Sequence, residues 1–171
     1  IFQSQTAYKQ LRKMLVDEYL VAVIALPAGV FQPYSGVKTS ILVFDKSLAK
    51  QSDTIGFFKV VNDGFSLGAQ RRETGKNDLP QVHVELEEYL HAVRNNESVA
   101  ELRPTLGLIV EKGKVSENGE YNLSGERYRE TIQSAAAFPF HPIGELCIIN
   151  PRKSEIADLP AETQVAFVPM A

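Results

Sequence analysis

The chain has 171 residues, room for one domain or one and a part, and its 44% hydrophobic and 23% charged side chains bury a core and exclude wholesale disorder. A net charge of −3 excludes a small, uniformly basic nucleic-acid-binding domain but leaves room for a local basic patch. No apolar run approaches the roughly 20 residues of a membrane span, no signal peptide is visible, and Cys147, between Leu146 and Ile148, reads as a core thiol in a reducing cytoplasm.

Residues 6–19 carry Tyr8, Leu11, Leu15 and Tyr19 at helical spacing, predicting a helix whose Lys9, Arg12 and Lys13 form a solvated face. Seven apolar residues, Leu20-Val21-Ala22-Val23-Ile24-Ala25-Leu26, stopped by Pro27, predict a strand covered on both faces. After a loop rich in Pro and Gly comes Ile41-Leu42-Val43-Phe44, a second buried strand, and residues 55–61 make a third, closed by the turn signal Asn62-Asp63-Gly64. Helix, buried strand, loop and buried strand together predict an α/β sheet.

Arg71, Arg72, Glu73, Lys76 and Asp78 mark an exposed segment. Pro80 precedes a helix with Val84, Leu86, Tyr89, Leu90 and Val93 available for its inner face. A short strand at 106–110, a turn at Glu117-Asn118-Gly119-Glu120 and a helix at 127–137 follow. Phe138-Pro139-Phe140-His141-Pro142 breaks the chain, placing a domain boundary near residue 137, with strands expected near 144–149 and 165–169 beyond it. The start at Ile1 and the end directly after the apolar run 165–170 read as cuts, so a fragment is expected.

Several motifs that could carry chemistry lack their context. Gly64-Phe65-Ser66-Leu67-Gly68 matches the pattern of a nucleophile elbow, but the following Ala-Gln-Arg-Arg-Glu-Thr-Gly-Lys offers no apolar helix face to seat it. His83, His91 and His141 lack metal-ligand spacing among themselves or with Cys147. No glycine-rich dinucleotide or phosphate loop is present, and Asn150-Pro151-Arg152 lacks the second proline and the aromatic of the Asn-Pro-Pro-aromatic motif.

The informative stretch is the loop between the first two strands, Leu26-Pro27-Ala28-Gly29-Val30-Phe31-Gln32-Pro33-Tyr34-Ser35-Gly36-Val37-Lys38-Thr39. Ligands in open α/β sheets gather where loops leave strand ends. From the residues alone Phe31 either caps the core or faces a ligand.

Leu-Pro-x-Gly-Val-Phe, a spacer, then Gly-Val-Lys-Thr-Ser-Ile-Leu-Val-Phe-x-Lys resembles the modification subunit of type I restriction systems, an N6-adenine DNA methylase family. The likeness begins at Tyr8-Lys9-Gln10-Leu11-Arg12-Lys13-Met14-Leu15, continues through Asn62-Asp63-Gly64-Phe65-Ser66-Leu67-Gly68-Ala69-Gln70-Arg71-Arg72, and resurfaces at Tyr121-Asn122-Leu123-Ser124-Gly125-Glu126-Arg127-Tyr128. It implies an α/β fold, the C-terminal part of a Rossmann-like class I methyltransferase sheet, followed by a helical and irregular region. The tail, with Ile143-Gly144-Glu145-Leu146-Cys147-Ile148-Ile149-Asn150-Pro151-Arg152-Lys153, Leu159-Pro160 and Val165-Ala166-Phe167-Val168-Pro169-Met170, is similar to the start of a target-recognition domain of α+β type from a specificity subunit. The expected division is residues 1–65 for the catalytic-domain piece, 66–137 for an extension with helices, and 138–171 for the recognition-like start.

The resemblance further implies methyl transfer from S-adenosylmethionine to a flipped adenine in double-stranded DNA, with Phe31 as the stacking partner of the base. In the family's order the cofactor loop and the Asn-Pro-Pro-aromatic motif lie upstream, so the cofactor is expected to be held mainly by residues outside this chain, which alone is expected to be inactive. Arg71, Arg72 and Lys76 are candidate phosphate contacts, whereas Tyr128 reads as a packing residue. Specificity and restriction subunits, or fused equivalents, are the implied partners, in the cytoplasm. The competing readings are a non-catalytic DNA-recognition or subunit-docking module and a small hydrolase using Ser66.

Overall fold

The computed structural model describes residues 5–129 and residue 145. The chain divides into two units, Ile1–Glu130 and Thr131–Ala171, and the elements named here belong to the first. The expected boundary near 137, Cys147 and the tail strands lie outside the described residues; Glu145 is exposed and in helical conformation, where the sequence predicts strand.

The heart of the unit is β1 (Leu20–Ala25), whose five leading residues are buried, as an uninterrupted apolar run requires when both faces are covered. β3 (Thr54–Lys59) lies parallel to it, with Ala22 opposite Gly56 and Ala25 opposite Lys59. β2 (Ser40–Phe44) pairs antiparallel with β1, and β6 (Gly107–Glu111) antiparallel with β3, giving a mixed sheet in the order β2-β1-β3-β6. The α/β expectation holds, and the sheet draws on residues from both sides of position 65. Among the described residues β2 pairs with β1 alone, and Ile41 and Phe44 are about half exposed where the sequence predicts a buried strand.

Two helices close the faces. α3 (Leu79–Arg94) lays Tyr89, Leu90 and Val93 into a cluster with Val21, Ile24, Phe58 and Val60. α1 (Thr6–Glu18) brings Val16 to the opposite face, where Leu20, Val23, Ile55, Phe57 and Val110 meet Leu123. The sequence placed Arg12 on a solvated face, but it is buried at 4% exposure, while Leu11 is 39% exposed. The reason is geometric, since residues four apart share a helix face and Arg12 falls midway between Tyr8 and Val16. In α3, likewise, Val84 faces solvent and Glu85 turns inward. Burial pushes the Glu85 carboxyl up, but hydrogen bonds from the Gln81 side chain and the backbone N–H groups of Leu106 and Thr105 outweigh it and hold it below its ordinary value.

α2 (Lys46–Gln51) links β2 to β3 and begins on Asp45, whose carboxylate accepts from the N–H groups of Ser47 and Leu48. After β3 the chain makes a hairpin of β4 (Asp63–Phe65) and β5 (Glu73–Asn77). The expected exposed segment is therefore in part a strand, with every β5 residue exposed. The hairpin is tied at its base by Asp78, which accepts from Asn62 N at 2.7 Å and Val61 N at 2.9 Å, bonds that hold its carboxyl below the usual range. β6 runs into α4 (Lys112–Ser116), and a 3-10 turn at Gly125–Tyr128 ends the described segment. Of the helix expected at 127–137, Arg127 and Tyr128 belong to that turn, and residues beyond 129 lie outside the description.

Candidate functional site

The parallel strands β1 and β3 finish side by side, with Val60 N donating to Ala25 O at 2.9 Å, so the loops that follow them leave the same end of the sheet. That end of an α/β sheet is where ligands collect. The loop after β1 is tied at its base, where Leu26 N donates to Thr39 O at 2.9 Å. Within it, Gln32 N donates to Gly29 O at 3.0 Å, and the N–H groups of Tyr34 and Ser35 both donate to Phe31 O. Val30 packs against the core, whereas Phe31 is 50% exposed and Tyr34 95% exposed. Phe31 is therefore no core cap: a good part of its ring faces solvent from a loop of tight turns.

The hairpin braces this loop. Arg71 Nη1 donates to Gly29 O at 3.1 Å and also to Val30 O, and Nη2 pairs with Asp63 Oδ2. Its guanidinium carbon stands 5.4 Å from the centre of the Phe65 ring. Sequence reasoning grouped Arg71 with Arg72 and Lys76 as phosphate contacts. The structure separates them: Arg72 and Lys76 are exposed, while the Arg71 guanidinium is drawn inward by two carbonyls and a buried carboxylate. Ser66 sits at the hairpin's far end, its Oγ donating to Gln70 O and accepting from Arg72 N, which is the chemistry of a turn rather than of a nucleophile.

A cavity of about 260 Å³ opens at the same end of the sheet, with Phe57, Leu108 and Leu123 among its apolar lining. Lys38, Lys59 and Arg129 line it against the carboxylate of Glu126, which lies 3.0 Å from Lys59 Nζ and 3.7 Å from Arg129 Nε. The Lys59 ammonium, with Arg129 and Lys38 adding to it, holds the Glu126 carboxyl below its ordinary value. Sequence reasoning missed this basic rim because its members are scattered at positions 38, 59 and 129 and form no run. The one available signal was Lys59, a charge ending a buried strand where the parallel strands end. Tyr128 packs as expected: its ring centre is 5.3 Å from that of Phe57, and its hydroxyl donates to Asn122 O at 2.6 Å.

Among the described residues no cluster of three or more His, Cys, Asp or Glu side chains could hold a metal ion, and no helix is long and apolar enough to cross a membrane. His83 and His91 are both exposed on α3.

Comparison with known proteins gives a consistent picture. No match is found among curated protein sequences. A chain from a structure on complex assembly and conformational transition of the type I R-M system is 21% identical with a TM-score of 0.56, over 85% of this chain and 29% of that one. The methyltransferase subunit of a type I restriction-modification system from Streptococcus thermophilus is 22% identical (TM-score 0.45, 74% of this chain, 24% of that one). A modification subunit of a putative type I restriction enzyme from Vibrio vulnificus YJ016 is 19% identical (TM-score 0.44, 71% and 24%). This chain thus spans less than a third of each of those proteins, and the first of them shares its fold. Residues 1–136 match the family model described as N-6 DNA Methylase, and the chain belongs to that family.

Proposed function

We propose that the chain is part of an adenine-N6 DNA methyltransferase of a type I restriction-modification system, and that it supplies the side of the site on which the target base stacks. The observation that carries this reading is Phe31, an aromatic ring half open to solvent on a braced loop at the ligand-binding end of the sheet, in a member of the N-6 DNA methylase family. An adenine amino group is out of reach inside a duplex, so the base is swung out and must be held flat while its weakly nucleophilic nitrogen is presented to the methyl donor. An exposed Phe ring offers such a platform, contributing about 1–3 kcal/mol per stacked base. Arg72 and Lys76 on the outer hairpin are suited to phosphates, which add affinity without sequence information.

The methyl donor of this reading is S-adenosylmethionine, whose sulfonium, ammonium and ribose hydroxyls call for carboxylate and carbonyl acceptors and whose carboxylate calls for donors. The cavity beside the loop presents Lys38, Lys59 and Arg129 against Glu126 alone. One carboxylate among three cations leaves the donor's positive groups short of acceptors in that cavity, and its binding is assigned mainly to parts of the full-length protein outside this chain. In this reading the 171-residue chain by itself transfers no labelled methyl groups to duplex DNA. Specificity and restriction subunits, or fused equivalents, are its assigned partners.

The test is Phe31→Ala in the full-length protein. Target capture, read as the affinity for unmethylated cognate DNA, is expected to weaken roughly 5- to 150-fold, the range set by one stacked base. Binding of S-adenosylmethionine, read by calorimetry, is expected to stay within about twofold, well short of the 1.4 kcal/mol that a tenfold change would need. Equal losses in both would refute the assignment.

A further inference from the structure

Arg71 spans the distance between the hairpin and the loop that carries Phe31. Its side chain is 18% exposed, and its partner Asp63 only 6%. Asp63 is itself fixed, its Oδ1 accepting from Phe65 N at 3.2 Å. Through Nη1 the same guanidinium holds the carbonyl oxygens of Gly29 and Val30, the two residues directly before Phe31. The contact is close from the other side as well: Gly29 has φ +88°, and a Cβ there would lie 2.7 Å from Leu67 O. The planar guanidinium forks between the two partners, Nη1 on two successive carbonyls and Nη2 on the buried carboxylate, and so fixes their relative placement in a way that a single ammonium does not.

We propose that Arg71 is a positioning residue for the base platform: it locks the backbone at Gly29 and Val30 so that the Phe31 ring is presented in one orientation before DNA arrives, with Asp63 as its anchor. This inference rests on the reading of Phe31 as the surface on which the target base stacks. Preorganisation of this kind removes the ordering cost from the binding step and keeps the reacting atoms aligned, and a displacement of about 1 Å at such a site costs up to 10²-fold in rate.

The experiment compares Arg71→Lys, Arg71→Gln, Asp63→Asn and Phe31→Ala in the full-length enzyme. Methylation of unmethylated plasmid DNA is scored as kcat/KM with tritiated S-adenosylmethionine, and thermal unfolding is recorded for each variant. Arg71→Lys keeps the charge and loses the fork, so it is expected to lower kcat/KM about ten- to hundred-fold, nearly as much as Arg71→Gln. Asp63→Asn, nearly isosteric, is expected to fall in the same direction and keeps the test open where the Arg71 variants do not fold. In a Phe31→Ala background the loss from Arg71→Lys is expected to vanish, a coupling that a merely structural role would not produce. Wild-type activity in Arg71→Lys with a loss in Arg71→Gln would indicate a phosphate contact and overturn the proposal. So would an inert Asp63→Asn, or losses that multiply independently with Phe31→Ala. Full activity in Phe31→Ala itself fails the platform reading, whereas an impaired Phe31→Ala beside an unimpaired Arg71→Lys fails the positioning role alone.

Discussion

Arg12 in the middle of α1 clasps the carbonyl oxygen of Glu120, donating from Nε at 3.0 Å and Nη2 at 2.7 Å. This contact joins the first helix to a segment more than one hundred residues later, just ahead of Leu123, which is 1% exposed in the core under α1. Lys9 adds an ion pair to the Glu120 carboxylate, which lowers that carboxyl from its ordinary value. Truncating Arg12 removes two charge-assisted bonds to the Glu120 carbonyl. Arg12→Ala is therefore expected to lower unfolding free energy by about 1.5–3 kcal/mol, measured by urea denaturation. Lys9→Ala, which removes a solvent-screened ion pair, is expected to cost clearly less than Arg12→Ala. Equal small effects for both would show that the Arg12 contact does not stabilise the fold.

The loop glycines offer a sharper contrast. At Gly29 an alanine would adopt φ +88° and press its methyl against Leu67 O, which is backbone and cannot swing aside. At Gly68, the residue directly after Leu67, an added methyl would meet nothing within 4 Å. Gly29→Ala is expected to cost about 1–3 kcal/mol, and Gly68→Ala to stay within about 0.5 kcal/mol. Thermal unfolding of the two variants side by side reads the difference. A neutral Gly29→Ala would mean that the loop does not rest on the hairpin.

Why some of this was legible in the sequence and some was not follows from particular residues. The run from Leu20 to Leu26 is apolar without a break, and only a strand buried on both faces uses such a run, so β1 was readable. The same logic does not settle β2, whose Ile41 and Phe44 are about half exposed with β1 as the one neighbour among the described residues, because the cover of a strand depends on partners that local sequence does not encode. Arg12 reads as solvated because of its polarity, and Val84 reads as inward because it is apolar, yet Arg12 and Glu85 are the buried ones because a distant carbonyl or distant N–H groups receive them. Phe31 could be singled out from its loop, but its exposure could not. Arg71 could not be told from Arg72 at all, since what separates them is the positions of Gly29, Val30 and Asp63 in space.

Phe31 allows the fold and the site to be tested apart. Its ring is half exposed, and the packing of its loop onto the core is carried by the neighbouring Val30. Phe31→Ala is expected to change unfolding free energy by no more than about 0.5 kcal/mol, whereas Val30→Ala, which removes core contact, is expected to cost about 1 kcal/mol or more. A large destabilisation from Phe31→Ala would return its ring to the role of a core cap and remove the structural basis for a base platform.

Glu85 sets an acid limit on the fold. Its carboxylate, 5% exposed, receives Thr105 N at 2.9 Å and Leu106 N at 3.0 Å, and so ties α3 to the entry of β6. The folded-state pKa lies below the ordinary value of 4.5, so the charged form is favoured by folding. A group of this sign contributes stability that is fully present above the unfolded-state pKa and is lost as pH falls from there through the folded-state value. Glu85→Gln cannot titrate, and its amide offers one acceptor in place of a charged pair. At pH 7 the variant is expected to be less stable by about 1.5–3 kcal/mol, the worth of hydrogen bonds to a charged group. Below about pH 4.5 the gap should narrow as the wild-type carboxyl takes up its proton, so the variant shows the flatter acid limb. Urea titrations at pH 7, 5, 4 and 3 follow the difference directly. A gap that stays constant across that range would place the acid sensitivity on other carboxylates, and Asp78, lowered by its bonds to Asn62 and Val61, is the next group to replace.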